Sequence, residues 1–152
     1  MPANPTCCTP SDSAQTAAKI MRAEDTGVVP VIENEQRLKV VGVVTDRDLG
    51  MNIVAEARDA TSVRVQDCTT SPAVGCPVDA PLSKAIEAMK DDQIRRIPVV
   101  DGEQRNQGIV SMADLVRRGR VDTVETYQTL KAISEPTAAP SKPRARSRAK
   151  AA

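Results

Sequence analysis

The 152-residue chain is long enough for one compact domain or two small units sharing a core, and its 40% hydrophobic content comes in short runs broken by charges. It contains no His, Trp or Phe and a single Tyr, which excludes His-based catalytic triads, His-ligated metal sites and aromatic platforms for single-stranded nucleic acid. The net charge of +1 is split, with five basic residues against Glu135 in residues 134–152 and 16 basic against 19 acidic residues before them, so nucleic-acid affinity would have to come from the tail.

The N-terminal MPANPTCCTPSDS lacks the basic start and apolar stretch of a signal peptide, and no run reaches the roughly 18 apolar residues of a membrane span, so the expected compartment is cytoplasmic. Residues 6–9 read as a short extended segment, followed by Pro10 and Asp12 in helix-start positions. Ala14, Ala17, Ala18 and Met21 then fall at i, i+3, i+4 and i+7, one face of a helix. Two β-branched runs, residues 28–32 and 40–45, flank the hairpin-like loop ENEQRLK, and a helix is predicted from residue 46 to about 57. The same order returns: an extended segment at 73–76, a helix carrying Leu82, Ala85, Ile86 and Met89, strands at 97–100 and 108–111 around DGEQRN, and a helix from 112 to about 118. Residues 121–133 form one more predicted helix with Val121, Val124, Tyr127 and Leu130 along one side. The tail EPTAAPSKPRARSRAKAA has no apolar period and is expected to be disordered. Cys7, Cys8, Cys68 and Cys76 form no CxxC pair and are expected to be packing thiols, with no metal site.

The chain therefore repeats itself. Pro10 matches Pro77 and Asp12 matches Asp79 at a spacing of 67; Ala17, Met21 and Pro30 match Ala85, Met89 and Pro98 at 68. Gly42, Thr45 and Asp48 match Gly108, Ser111 and Asp114 at 66. The spacing changes only between elements, as loop lengths would change it. Two copies point to a pseudo-twofold pair, with units at 1–60 and 61–120, a helix at 121–133 and a disordered basic tail at 134–152.

GVVTDRDL (residues 42–49) and GIVSMADL (108–115) share the pattern G-h-h-[ST]-x-x-D-L, and each follows a strand carrying h-P-V, VVPV at 28–31 and IPVV at 97–100. With these motifs in register across the duplication, the chain resembles a free-standing tandem pair of cystathionine-β-synthase (CBS) domains, a Bateman module, over about residues 3–120. The resemblance implies an α/β (α+β) fold of two β-α-β-β-α units with two clefts between them for adenine nucleotides or related adenosyl ligands (AMP, ADP, ATP, S-adenosylmethionine or NAD). It implies that Thr45 and Ser111 meet ribose or phosphate and that Asp48 and Asp114 accept the ribose hydroxyls; a carboxylate offers two acceptor oxygens to a vicinal diol. Arg95 and Arg96, where the first copy has Gly27 and Val28, are implied phosphate partners, as is Arg47, whose counterpart is Ala113. Cys7, Val28, Val74 and Ile97, with Pro30 and Pro98, are candidates for an adenine slot. The function implied is that of a regulatory sensor. It is not an enzyme, needs no cofactor beyond the regulatory nucleotide, forms a homodimer and acts through an unidentified protein partner.

Other readings of the same residues stand beside this one. [ST]-x-x-D at a strand-to-helix junction is also a capping box, which satisfies orphan helix N–H groups without a ligand. Arg95 and Arg96 can equally pair with Asp91 or Asp92 at a solvated strand edge. The whole chain can be a ligand-free interaction module, or bind nucleic acid through the basic tail.

Overall fold

The computed structural model describes residues 6–69, 75–118 and 121–136. Val74 and the tail from residue 137 onward lie outside them. In the first unit, α1 (Ala14–Ala23) starts at Ser13, whose side chain accepts the Thr16 N–H at 3.1 Å. It buries Ala14, Ala17 and Met21 against β1 (Val28–Ile32), a strand buried along its whole length. β1 pairs antiparallel with β2 (Val40–Thr45), and Cys8 adds a single parallel bridge to Val31 on the other side. α2 (Asp46–Leu49) follows β2 directly.

Beyond α2 the predicted helix changes its winding. Residues Gly50–Val54 form a π-turn in which the Ala55 N–H reaches back to the Gly50 carbonyl at 3.0 Å. The Asn52 amide donates to the Asp48 carbonyl at 2.8 Å, the oxygen that an α-helical register would give to Asn52's own N–H. The turn leaves Met51 and Val54 exposed.

The second unit has a three-stranded sheet in the order β3-β4-β5: β3 (Cys76–Pro77), β4 (Arg96–Val100) and β5 (Asn106–Ser111). α3 (Leu82–Asp91) buries Ala85, Ile86 and Met89 on it, and α4 (Met112–Arg117) leaves β5 at Ser111. The helix starts are later than Asp12 and Asp79 indicate, with Ser13 and Pro81 at the N-caps.

The two cores are filled differently. α1 buries Ala17 where α3 buries Ala85, but Ala18, expected on the same face, is exposed where its counterpart Ile86 is buried; the connecting segment adds Val63, Val65 and Cys68 to the first core. Backbone bonds hold it there: Ala14 N–H to the Val63 carbonyl at 2.8 Å and Val65 N–H to the Asp12 carbonyl at 2.8 Å. Residues 63–68 thus pack with the first unit, although they follow the division expected at residue 60. Cys8, Cys68 and Cys76 are buried and Cys7 half-buried.

The units meet through their hairpin loops. Val40 N–H donates to the Gln104 carbonyl and Asn106 N–H to the Leu38 carbonyl, both at 2.9 Å. Residues 38 and 104, and 40 and 106, are equivalent at the spacing of 66, so this is a reciprocal pair of bonds about the pseudo-twofold. Leu38 and Gln104 share a positive φ, 55° and 63°, which turns each loop toward the other.

α5 (Thr123–Ser134) lies on α3. Its apolar side does not dock: Val124, Tyr127 and Leu130 are exposed, at 65%, 67% and 43%. The docked face carries Thr129 and Ile133. Thr129 tolerates full burial because its hydroxyl donates to the Glu125 carbonyl at 2.7 Å one turn earlier. The apolar letters alone hid that face. Gln93 fastens the end of α5, its amide donating to the Ala132 and Glu135 carbonyls at 3.1 and 3.2 Å. Ile133→Ala is expected to lower the unfolding free energy by about 2–5 kcal/mol, and Tyr127→Ala to change it by no more than about 0.5 kcal/mol. Urea denaturation reads both, and the reverse ranking would mean that α5 docks by its other face.

Candidate functional site

Each motif pair sits at a corner where a strand becomes a helix. At the first, the Thr45 hydroxyl accepts the Asp48 N–H at 3.1 Å and donates to Asp48 Oδ2 at 2.7 Å, while the Thr45 N–H reaches the same oxygen at 2.9 Å. Ser111 and Asp114 repeat this at 3.1, 2.7 and 3.0 Å. Both are complete capping boxes. The hydroxyl protons are therefore committed to the carboxylates. Among the described residues, Oδ1 of Asp48 and of Asp114 accepts no hydrogen bond, so one oxygen closes each corner and the other remains open to an outside donor.

The second corner opens on a cleft of about 290 Å³ between the units. Ser111, Asp114, Arg96 and Arg117 line it from the second unit, and Thr26, Val28 and Pro30 face them from the first. Glu24 and Asp25 stand at the end of α1 on the same cleft, where the Thr6 hydroxyl donates to Glu24 Oε1 at 3.0 Å. Thr45, Asp48 and Arg47 are not among its walls.

Val28 and Arg96 are equivalent positions in the two copies, and both line this cleft from opposite sides. The Arg96 guanidinium reaches Gly27 of the first unit: a Cβ at residue 27 would stand 3.2 Å from Arg96 Nη1 and 2.7 Å from Asp46 Oδ2, so Arg96 and the Asp46 carboxylate both border this glycine. Arg95 lines a neighbouring chamber with Arg96 and Arg117. Among the described residues neither Arg95 nor Arg96 forms an ion pair with Asp91 or Asp92.

The expected adenine slot is brought together only in part. Val28 and Pro30 line the cleft, but Ile97 is fully buried in the second core. Strand side chains alternate faces, so with Arg96 turned to the cleft Ile97 must turn inward. Cys7 lies under the Asn106 amide, which donates to its sulfur at 3.2 Å, at the far end of β5 from Ser111. Arg117, Thr26 and Ile109 are cleft residues that carried no signal of their own in the sequence. Arg117 stands three residues beyond Asp114, one helical turn further along α4.

The family model for the CBS domain matches residues 1–53 and again residues 65–120. The chain belongs to the CBS-domain family, as a tandem pair. It is 30% identical over 138 residues to hypoxic response protein 1 of Mycobacterium tuberculosis, covering 91% of this chain and 93% of that one. An uncharacterized protein of Methanopyrus kandleri is 32% identical over 108 residues, 71% of this chain, which spans only about half (54%) of that relative. The crystal structure of hypoxic response protein I, described with two coordinated zinc ions, superposes with a TM-score of 0.68 at 28% identity, covering 77% of this chain and 92% of that one. No helix of the described residues is long and apolar enough to cross a membrane.

In this CBS pair the Ser111 hydroxyl, donating to Asp114, holds that carboxyl below the usual aspartate range; the Ser111 N–H and the charge of Arg118 act the same way against partial burial. Asp114 is thus ionised at neutral pH, and both of its oxygens are acceptors only. Because folding lowers this carboxyl, its contribution to stability is complete above the ordinary aspartate value of about 3.9 and is lost as pH falls through the lower folded value. Ser111→Ala is expected to lower the unfolding free energy by about 1 kcal/mol at neutral pH, a deficit that shrinks as pH falls through that range. Denaturation at a series of pH values checks it, and a constant deficit would show that the carboxylate's charge is not engaged.

Proposed function

We propose that this CBS pair is a regulatory module whose cleft at the α4 corner binds an adenosine-containing ligand. Asp114 Oδ1 accepts from the ribose diol, Arg96 and Arg117 meet the adjoining phosphate, and Val28 and Pro30 offer an apolar wall to the base. The observation that carries this reading is that Asp114, whose Oδ1 accepts no hydrogen bond among the described residues, lines the cleft together with Arg96 and Arg117. A pure cap needs one carboxylate oxygen, and its second oxygen is where a diol finds an acceptor. The first corner is built the same way but carries Arg47 where the second has Ala113 and Met51 where the second has Arg117, which makes the two sites unequal.

No nucleophilic role is proposed for Cys7, Cys8 or Cys76. Burial pushes the Cys8 thiol up to about 12, with the charges of Asp12 and Cys7 adding to it, and burial raises Cys7 and Cys76 as well, so these thiols stay protonated and poor nucleophiles. In this reading two modules pair as a homodimer, through which ligand binding reaches a protein partner.

Asp114→Ala and Asp48→Ala remove equivalent caps, so the difference between them isolates the ligand contact. Titration calorimetry of nucleotide-free protein with AMP, ADP, ATP, S-adenosylmethionine and NADH is expected to find a binder among them. Asp114→Ala should weaken it at least tenfold, the scale of a hydrogen bond to a charged group, and Asp48→Ala should leave it within about threefold. Equal losses would contradict the assignment to the α4 corner, and no binding by any of the five would overturn the function.

A further inference from the structure

Arg96 faces two ways. It lines the cleft at the α4 corner, and its guanidinium also reaches Gly27 of the first unit. A Cβ on residue 27 would stand 3.2 Å from Arg96 Nη1 and 2.7 Å from Asp46 Oδ2. A cation from β4 and an anion from α2 thus border one glycine. Among the described residues they form no direct ion pair, and they face each other across the space that a side chain at residue 27 would occupy.

Asp46 is fixed in that place by its own corner. Its N–H donates to the Gly27 carbonyl at 3.0 Å, and its Oδ1 accepts the Arg47 N–H at 2.7 Å. Oδ2 accepts no hydrogen bond among the described residues, and this is the oxygen turned to Gly27. The repeat does not dictate the arrangement. The same backbone bond recurs in the second unit, Met112 N–H to the Arg95 carbonyl at 3.0 Å. There, however, the helix opens on Met112, which is buried in the second core, and the counterpart of Arg96 is Val28. The opposed charges therefore exist on one side of the pseudo-twofold, and Arg96 belongs to the cleft that Asp114 lines.

We propose that Asp46 limits phosphate affinity at the α4 corner: it draws Arg96 toward the first unit while the cleft is empty, and a phosphate must take the guanidinium over from it. This rests on the nucleoside reading of the cleft and adds the competition that sets its affinity. A phosphate brought to Arg96 meets the Asp46 carboxylate as a like charge, and the attraction between Arg96 and Asp46 weakens as the guanidinium turns to the ligand. Both side chains are exposed, so water and salt screen the pair and the effect is a few-fold one. Adenosine carries no phosphate and is indifferent to Asp46. Glu24 and Asp25 also line the cleft and repel a phosphate whether or not Arg96 is present, so a double-mutant cycle isolates the part that runs through Arg96.

The test is calorimetry at low ionic strength with AMP, ATP, adenosine and inorganic phosphate on wild type, Asp46→Asn, Arg96→Gln and the double variant. Asparagine keeps an Oδ1 acceptor for the Arg47 N–H, so the corner survives the change. Asp46→Asn is expected to tighten AMP and ATP about threefold, to leave adenosine unchanged, and to have no effect in the Arg96→Gln background. Added salt should shrink the gain. Nucleotide affinity that Asp46→Asn leaves as it is, or raises equally in the Arg96→Gln background, would refute the competition while the nucleoside cleft stands. Phosphate binding that gains from Asp46→Asn, with AMP and ATP no tighter than phosphate, would uphold the competition and refute the nucleoside cleft. Binding of none of the four would refute both.

Discussion

One carboxylate oxygen at each strand-to-helix corner holds this module in shape. Asp48 Oδ2 and Asp114 Oδ2 each take a hydroxyl and a backbone N–H from the residue that ends the strand. The bond pair fixes the direction in which α2 leaves β2 and α4 leaves β5, and α4 in turn places Arg117 and Val116. The cap's net worth is small, about 0.5–2 kcal/mol, but the position it sets is shared by the core and the cleft. Met112 and Leu115 go into the second core from the same short helix whose Asp114 and Arg117 face outward. Fold and site are therefore two faces of six residues.

The duplication supplies symmetry and the substitutions at equivalent positions remove it. The reciprocal bonds between residues 38–40 and 104–106 keep the halves in a twofold relation. Within that frame Gly27 stands opposite Arg95, Val28 opposite Arg96 and Arg47 opposite Ala113. Arg96 reaches Gly27 and Asp46 of the first unit, and Ala113 lines the cleft where the first copy has Arg47. The asymmetry follows from side-chain length and charge at these positions, with no change of backbone plan needed.

Much of this was legible in the sequence because the signals were local or repeated. The strands around Pro30 and Pro98, the helix carrying Ala85, Ile86 and Met89, and both capping boxes depend on near neighbours and appear where the spacing puts them. What the sequence hid depends on contacts between distant segments. Thr129 reads as polar, yet its bond to the Glu125 carbonyl makes it the buried centre of α5. Ile97 sits beside Arg96 in sequence, but strand alternation sends the two to opposite faces. The π-turn at Gly50–Val54 comes from an Asn52 side chain competing for a backbone acceptor, which no hydrophobic period encodes. Arg117 became visible as a site residue only when α4 was set against the first unit.

The most direct measurement is a crystal structure of the protein with ATP bound. The expected result puts a ribose hydroxyl within about 3.2 Å of Asp114 Oδ1, the base against Val28 and Pro30, and the adjoining phosphate at Arg96 and Arg117. A nucleotide seated instead at the Thr45 and Asp48 corner, or one whose ribose leaves Asp114 Oδ1 without a partner, would contradict it.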